Sequence, residues 1–175
     1  GRRAGGALAS FGAARRAREA TGTLETPHGA ALLTCIGHSR GHRRDFEGAL
    51  AHYQDARRVR GATSTLETPE GAALITSIGH AKGQRGDFRG ALASYELACH
   101  ILETTGTLDT AHGANLLTNL GIAKHQCGDA RGALESYGGA RRVRERLGLS
   151  SPEELQSPAR EGRAPAAVGP DCAVM

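Results

Sequence analysis

The chain has 175 residues and a formal net charge of +4, which is room for about one domain. Hydrophobic residues make up 39% and aromatics only 3%, with no Trp. That composition argues against an aromatic-cored sandwich, a base-stacking nucleic-acid module and a polybasic DNA-binding protein.

Self-similarity dominates the chain. Thr23-Leu24-Glu25-Thr26-Pro27 returns as Thr65-Leu66-Glu67-Thr68-Pro69 and as Thr107-Leu108-Asp109-Thr110-Ala111, 42 residues apart each time. Gly-Ala-Leu starts at Gly6, Gly48, Gly90 and Gly132 with the same period. A fixed period of this size marks a repeat architecture.

In chain order, residues 1–22 read as the second helix (helix B) of a truncated repeat. Residues 23–64, 65–106 and 107–148 read as three full repeats. Each opens on a cap: Thr26 and Thr68 satisfy free N–H groups, and Pro27 and Pro69 stand where a missing donor costs nothing. Helix A then carries Leu33 and Ile36, matched by Ile75 and Ile78 and by Leu117 and Leu120, an apolar stripe at helical spacing. A polar break leads to Asp45, Asp87 and Asp129, each placed as an N-cap of helix B. Helix B carries Ala49, Tyr53 and Ala56, matched by Ala91, Tyr95 and Ala98 and by Ala133, Tyr137 and Ala140. Gly61, Gly106 and Gly148 mark the helix B ends.

Gly inside a helix costs about 1 kcal/mol against Ala. Phased glycines therefore imply a packing reason, and Gly37 with Gly48-Ala49 are expected to let two helix backbones approach closely. The six aromatics fall on two phased columns, Phe11, Tyr53, Tyr95, Tyr137 and Phe46, Phe88. Ala130 stands where Phe46 and Phe88 do, so the last repeat is expected to be the looser end.

Gly37, Ala49, Tyr53, Ala56 and their copies, with Gly86-Asp87-Phe88 at a turn, resemble the tetratricopeptide repeat, in its 42-residue kinesin-light-chain-like form. The resemblance covers about residues 1–147. It implies an all-α fold, an α-solenoid of antiparallel helix pairs wound as a right-handed superhelix. It also implies that helix A lines a concave groove for a peptide or partner helix. On the family's groove columns this chain has Thr34, His38 and His42, then Thr76, His80 and Gln84, then Asn115, Thr118, Asn119 and Gln126. That is a small, neutral-polar set, able to donate to and accept from a peptide backbone. The Lys, Asn and Arg set that clamps a C-terminal carboxylate in some members is absent.

Cys35, His38 and His42 share one helix face with atoms suited to zinc, but their equivalents are Ser77, His80, Gln84 and Asn119, Ile122, Gln126. A metal site is not expected, nor any cofactor. Arg15, Arg16, Arg18, then Arg57, Arg58, Arg60, then Arg141, Arg142, Arg144, Arg146 close three of the four B helices. Cations there offset the helix dipole, and no aromatics accompany them, so nucleic acid is disfavoured as a partner. No Walker loop, nucleophile elbow or HExxH is present, and no enzyme is expected in this segment. The expected function is a protein–protein interaction scaffold. The alternatives are a nucleic-acid-binding helical repeat and a regulatory segment of a larger enzyme.

Beyond 148 the composition shifts. Residues 149–157, with Ser151-Pro152-Glu153-Glu154-Leu155, are expected to form a short cap, and 158–175 a disordered tail. Cys172-Ala173-Val174-Met175 fits the prenylation pattern, which would make Cys172 a lipidation site and give membrane association. Four cysteines without a CxxC pair make no disulfide framework, so reduced thiols and a cytoplasmic setting are expected. Met175 is the only Met, so the chain is expected to be a fragment or processed piece.

Overall fold

The computed structural model describes residues 2–149, with side chains from residue 9 onward. The cap at 149–157, the tail and Cys172 thus fall outside the described residues, apart from Leu149. Seven helices follow one another: α1 Arg2–Ala20, α2 Pro27–His42, α3 Phe46–Ala62, α4 Pro69–Gln84, α5 Phe88–Thr104, α6 Ala111–Gln126 and α7 Ala130–Arg146. Among the described residues there is no strand. Helices α2/α3, α4/α5 and α6/α7 pack as intimate pairs, and each pair rests on the next. The result is an all-α solenoid.

The caps explain where the helices start. Thr26, Thr68 and Thr110 accept from the N–H of Gly29, Gly71 and Gly113. Asp45, Asp87 and Asp129 accept from Gly48, Gly90 and Gly132. An N-cap of this kind stabilises by ~1 kcal/mol. Each B helix ends in a residue with positive φ, namely Gly22, Ser64, Gly106 and Gly148. Beside it, hydroxyls pair across the turn: Thr63 with Thr65 at 2.9 Å and Thr105 with Thr107 at 2.7 Å.

The core is a continuous file of small and branched residues through the middle of the array. Ala49, Ala56, Val59, Ala72 and Ala98 are fully covered, with Leu33, Leu74, Ile75, Leu102 and Leu116 the largest enclosed side chains. Tyr53 and Tyr95 are 4% and 5% exposed.

The glycines turn out to have different reasons from those expected. At Gly37, Gly79 and Gly121 the ring of Tyr53, Tyr95 or Tyr137 lies against the A helix; a methyl on Gly79 would sit 2.7 Å from the Tyr95 ring. Helix A is therefore approached by a ring, not by a backbone. Gly48 does not bring helices together either. It leaves room for the Asp45 carboxylate that caps its own helix and for the Arg40 guanidinium. Close backbone approach occurs instead at Gly29, Gly71 and Gly113, where the carbonyl of Leu24, Leu66 or Leu108 occupies the space a Cβ would need.

Candidate interaction surface

Identical caps start α2, α4 and α6 in one register, so equivalent residues form rows across the array. The row at the helix ends, His42, Gln84 and Gln126, is exposed throughout. The next, His38, His80 and Ile122, is half-buried, as are Thr34 and Asn115.

The remaining groove candidates are enclosed. Thr76, Thr118 and Asn119 are 3%, 9% and 3% exposed, and Ser77 beside them is 3% exposed. The expectation of one open polar face is corrected for these residues. Two causes are visible. The Thr hydroxyls turn inward and donate to the carbonyl one turn back, Thr34 to Ala30 at 2.8 Å, Thr76 to Ala72 at 2.8 Å and Thr118 to Ala114 at 2.9 Å. Neighbouring A helices also lie close enough for side chains to bridge them: His38 Nε2 meets Ser77 Oγ at 2.9 Å. Thr118 accepts in addition from Arg144 at 3.0 Å, and Arg144 donates to Asn115 Oδ1 at 3.4 Å.

His38 is thus a seam residue as much as a surface one. Its ring stands edge-on to Tyr53 at 5.5 Å between centroids. Burial first, then the neighbouring charges of His42 and His80, pushes its pKa down to about 4. His80 is lowered as well, by burial and by His42, and Gln84 Nε2 lies 3.4 Å from its Nε2. With His38 Nε2 engaged by Ser77, the Cys35, His38, His42 trio does not converge. Among the described residues no three His, Cys, Asp or Glu side chains gather as metal ligands.

The arginines near the B-helix ends do more than offset a dipole. Arg58 forks onto both carboxylate oxygens of Glu25 at 2.9 and 2.7 Å and holds that carboxyl below its usual range. Arg146 pairs with Asp109 in the same way of reaching back, from α7 to the turn before α6. Arg60, 8% exposed, donates to the Thr65 carbonyl of the following repeat. These contacts tie a B helix to the entry turn of an A helix.

Two residues that sequence reasoning passed over stand out at the other end of the array. His52 is 9% exposed with an unpartnered Nδ1, and Arg40 has an unpartnered buried Nε. The available signal was a broken column, His52 against Ser94 and Ser136.

The fold is that of a tetratricopeptide-like helical repeat. Solved structures similar to the chain include BtubC (BKLC) from P. vanneervenii, with a TM-score of 0.78 and 21% identity over 92% of this chain and 63% of that one. Two structures of a Podosopora anserina protein, described as a kinesin light chain with nearly identical TPR-like repeats, have TM-scores of 0.61 and 0.60, the first being a point variant. Both are 17% identical over 82% of this chain and 77% of theirs. This chain therefore spans less than two thirds of the P. vanneervenii chain. No protein-family model and no curated protein matches it.

Proposed function

We propose that the chain is a protein-interaction scaffold that holds an extended peptide or a partner helix along α2, α4 and α6. One observation carries this reading: His42, Gln84 and Gln126 form an exposed row of hydrogen-bonding side chains, one per A helix, on a rigidly phased frame. Imidazole and amide groups can donate to and accept from a backbone without demanding a charge. Repeat arrays characteristically bind along such rows. Asn115, His38, His80 and Thr34 flank the row; Thr76, Thr118 and Asn119 act from behind it by fixing the A helices.

Substituting His42, Gln84, Gln126 and Asn115 together by Ala is expected to abolish capture of a protein partner while leaving the melting temperature unchanged. Undiminished capture by the quadruple variant would refute the groove. The helical scaffold reading carries no catalytic role. Nucleic acid is disfavoured because Arg58, Arg60, Arg144 and Arg146 are already engaged within the array. Cys99 and Cys127 form no disulfide among the described residues, which suits a reducing, cytoplasmic setting. Prenylation of Cys172 would add membrane association, and the mass of the mature protein tests it.

A further inference from the structure

Two adjacent glycines, Gly138 and Gly139, stand in the middle of α7. Glycine is the poorest helix former after proline. The equivalent positions hold Gln54 and Asp55 on α3, and Glu96 and Leu97 on α5. No clash demands the pair. A Cβ on Gly138 would meet only the end of the Arg142 side chain, at 3.4 Å. One on Gly139 would touch a Leu117 methyl at 3.5 Å, an ordinary packing contact. Gly121 on α6 differs, because the Tyr137 ring fills its space.

Gly139 lines a cleft of about 350 Å³ between α6 and α7. Its floor is apolar, built from Leu108, Leu117, Leu120 and Val143. Leu33 and Ile75, in the column of Leu117, are 1% and 2% exposed, whereas Leu117 is half-buried. The rim is charged and unbalanced. Asp109 is paired with Arg146, and Glu135 with Arg131. Arg142 and Lys124, also on the rim, make no ion pair among the described residues. A Leu-sized space beside two unneutralised cations suits an apolar side chain with carboxylates next to it.

The chain carries such a segment a few residues further on. Beyond Leu149 the first carboxylates are Glu153 and Glu154, and the first large apolar side chain is Leu155. The exit from α7 is fixed at its last turn, where the Leu149 N–H donates to the Arg144 carbonyl at 2.9 Å. From there to Leu155 the backbone spans up to about 20 Å. Gly139 lies about 15 Å back along α7, within that reach. We propose that residues 150–157 fold back over the cleft, with Leu155 entering the space above Gly139 and Glu153 and Glu154 facing Arg142 and Lys124. The cap expected after α7 then has its seat on the α6/α7 pair. The cleft shares no residue with the His42, Gln84, Gln126 row, so this docking and the peptide groove stand or fall separately.

The test is NMR on the full chain with labelled leucine methyls. NOEs from the Leu155 methyls to those of Leu117 are expected, with exchange of the 153–156 amides slowed about tenfold or more. Gly139→Leu installs the residue found at 97 and fills the cleft from within. It should leave the array folded, abolish the NOEs and return those amides to fast exchange. Arg142→Glu should reduce the protection severalfold, and Leu155→Ser should abolish it while leaving the shifts of α2 to α5 unchanged. Mixing labelled with unlabelled chains separates docking within one chain from docking between two. NOEs between chains would hand the cleft to a second copy and overturn the proposal. So would 153–156 amides that exchange as in an unstructured peptide, or protection that survives Gly139→Leu.

Discussion

The α4/α5 pair and the α6/α7 pair follow one sequence pattern and sit in different surroundings. The first has a pair on either side; the second has a neighbour on one side only among the described residues. The consequence appears at single positions. Leu92 on α5 is half-buried against the core, whereas its equivalent on α7, Leu134, is 64% exposed. Tyr95 is 5% exposed and Tyr137 is only half-buried. Burial also pushes the Tyr95 phenol well above its usual range and that of Tyr137 less strongly. In such an array the same residue has a different worth depending on what stacks on it. Ala130 stands in the column of Phe46, which is half-buried, and of Phe88. Phe88, in the same column, is 38% exposed. Among the described residues α7 packs on α6 alone.

The largest contrast is expected from the two tyrosines. Tyr95→Ala should cost ~3–5 kcal/mol in denaturant unfolding, as removal of a large buried aromatic does, and Tyr137→Ala roughly half of that. Equal losses would mean that the neighbouring pair contributes nothing to the difference. Next comes pH. The folded pKa of His38 is lowered from 6.5 to about 4, so between those values the unfolded chain binds a proton that the native chain does not. The His38 contribution to stability should therefore be flat above pH 6.5 and fall by about 3 kcal/mol as pH drops to 4, with His80 adding to the fall in the same direction. His38→Gln should remove most of that slope; an unchanged slope would remove His38 from the α2/α4 seam.

Gly79→Ala forces a methyl against the Tyr95 ring and should cost ~1–3 kcal/mol by overpacking. Gly121→Ala should cost less, because Tyr137 is less buried than Tyr95 among the described residues; thermal melts of the two variants compare them directly. The smallest effect concerns Ser64, held at φ 54° where Gly22, Gly106 and Gly148 occupy the equivalent turns. Ser64→Gly should raise stability by roughly 0.5 kcal/mol, since a left-handed conformation is costly for a residue with a Cβ. A lower melting temperature would show that the Ser64 side chain contributes more than its backbone loses.

Much of the fold could be read from the sequence because its punctuation is local. Thr68-Pro69 and Asp87 cap helices through atoms three residues away, and the 42-residue period repeats those signals without a slip. The site was less legible. A column number tells which face of helix A bears Thr76 or Asn119, but not how near the adjacent A helix lies. That distance depends on residues such as Ser77 and His38 meeting across 39 positions of chain. Likewise the role of Gly37 could not be separated from that of Gly48, because a glycine records that space is needed and not what fills it. His52 was visible only as a break in a column of serines.

The carbonyl of Leu66 pressed against the face of Gly71 has a mechanical consequence. Together with the Thr68 cap it acts as a hard stop on the angle at which chain enters helix A. An array with such stops at every elbow would resist bending at its turns. Under load the give would fall on the seams between successive A helices, where contact is carried by side chains such as His38 and Ser77. The molecule would then stretch like a spring of stiff links, and a partner gripping several links would sense its extension.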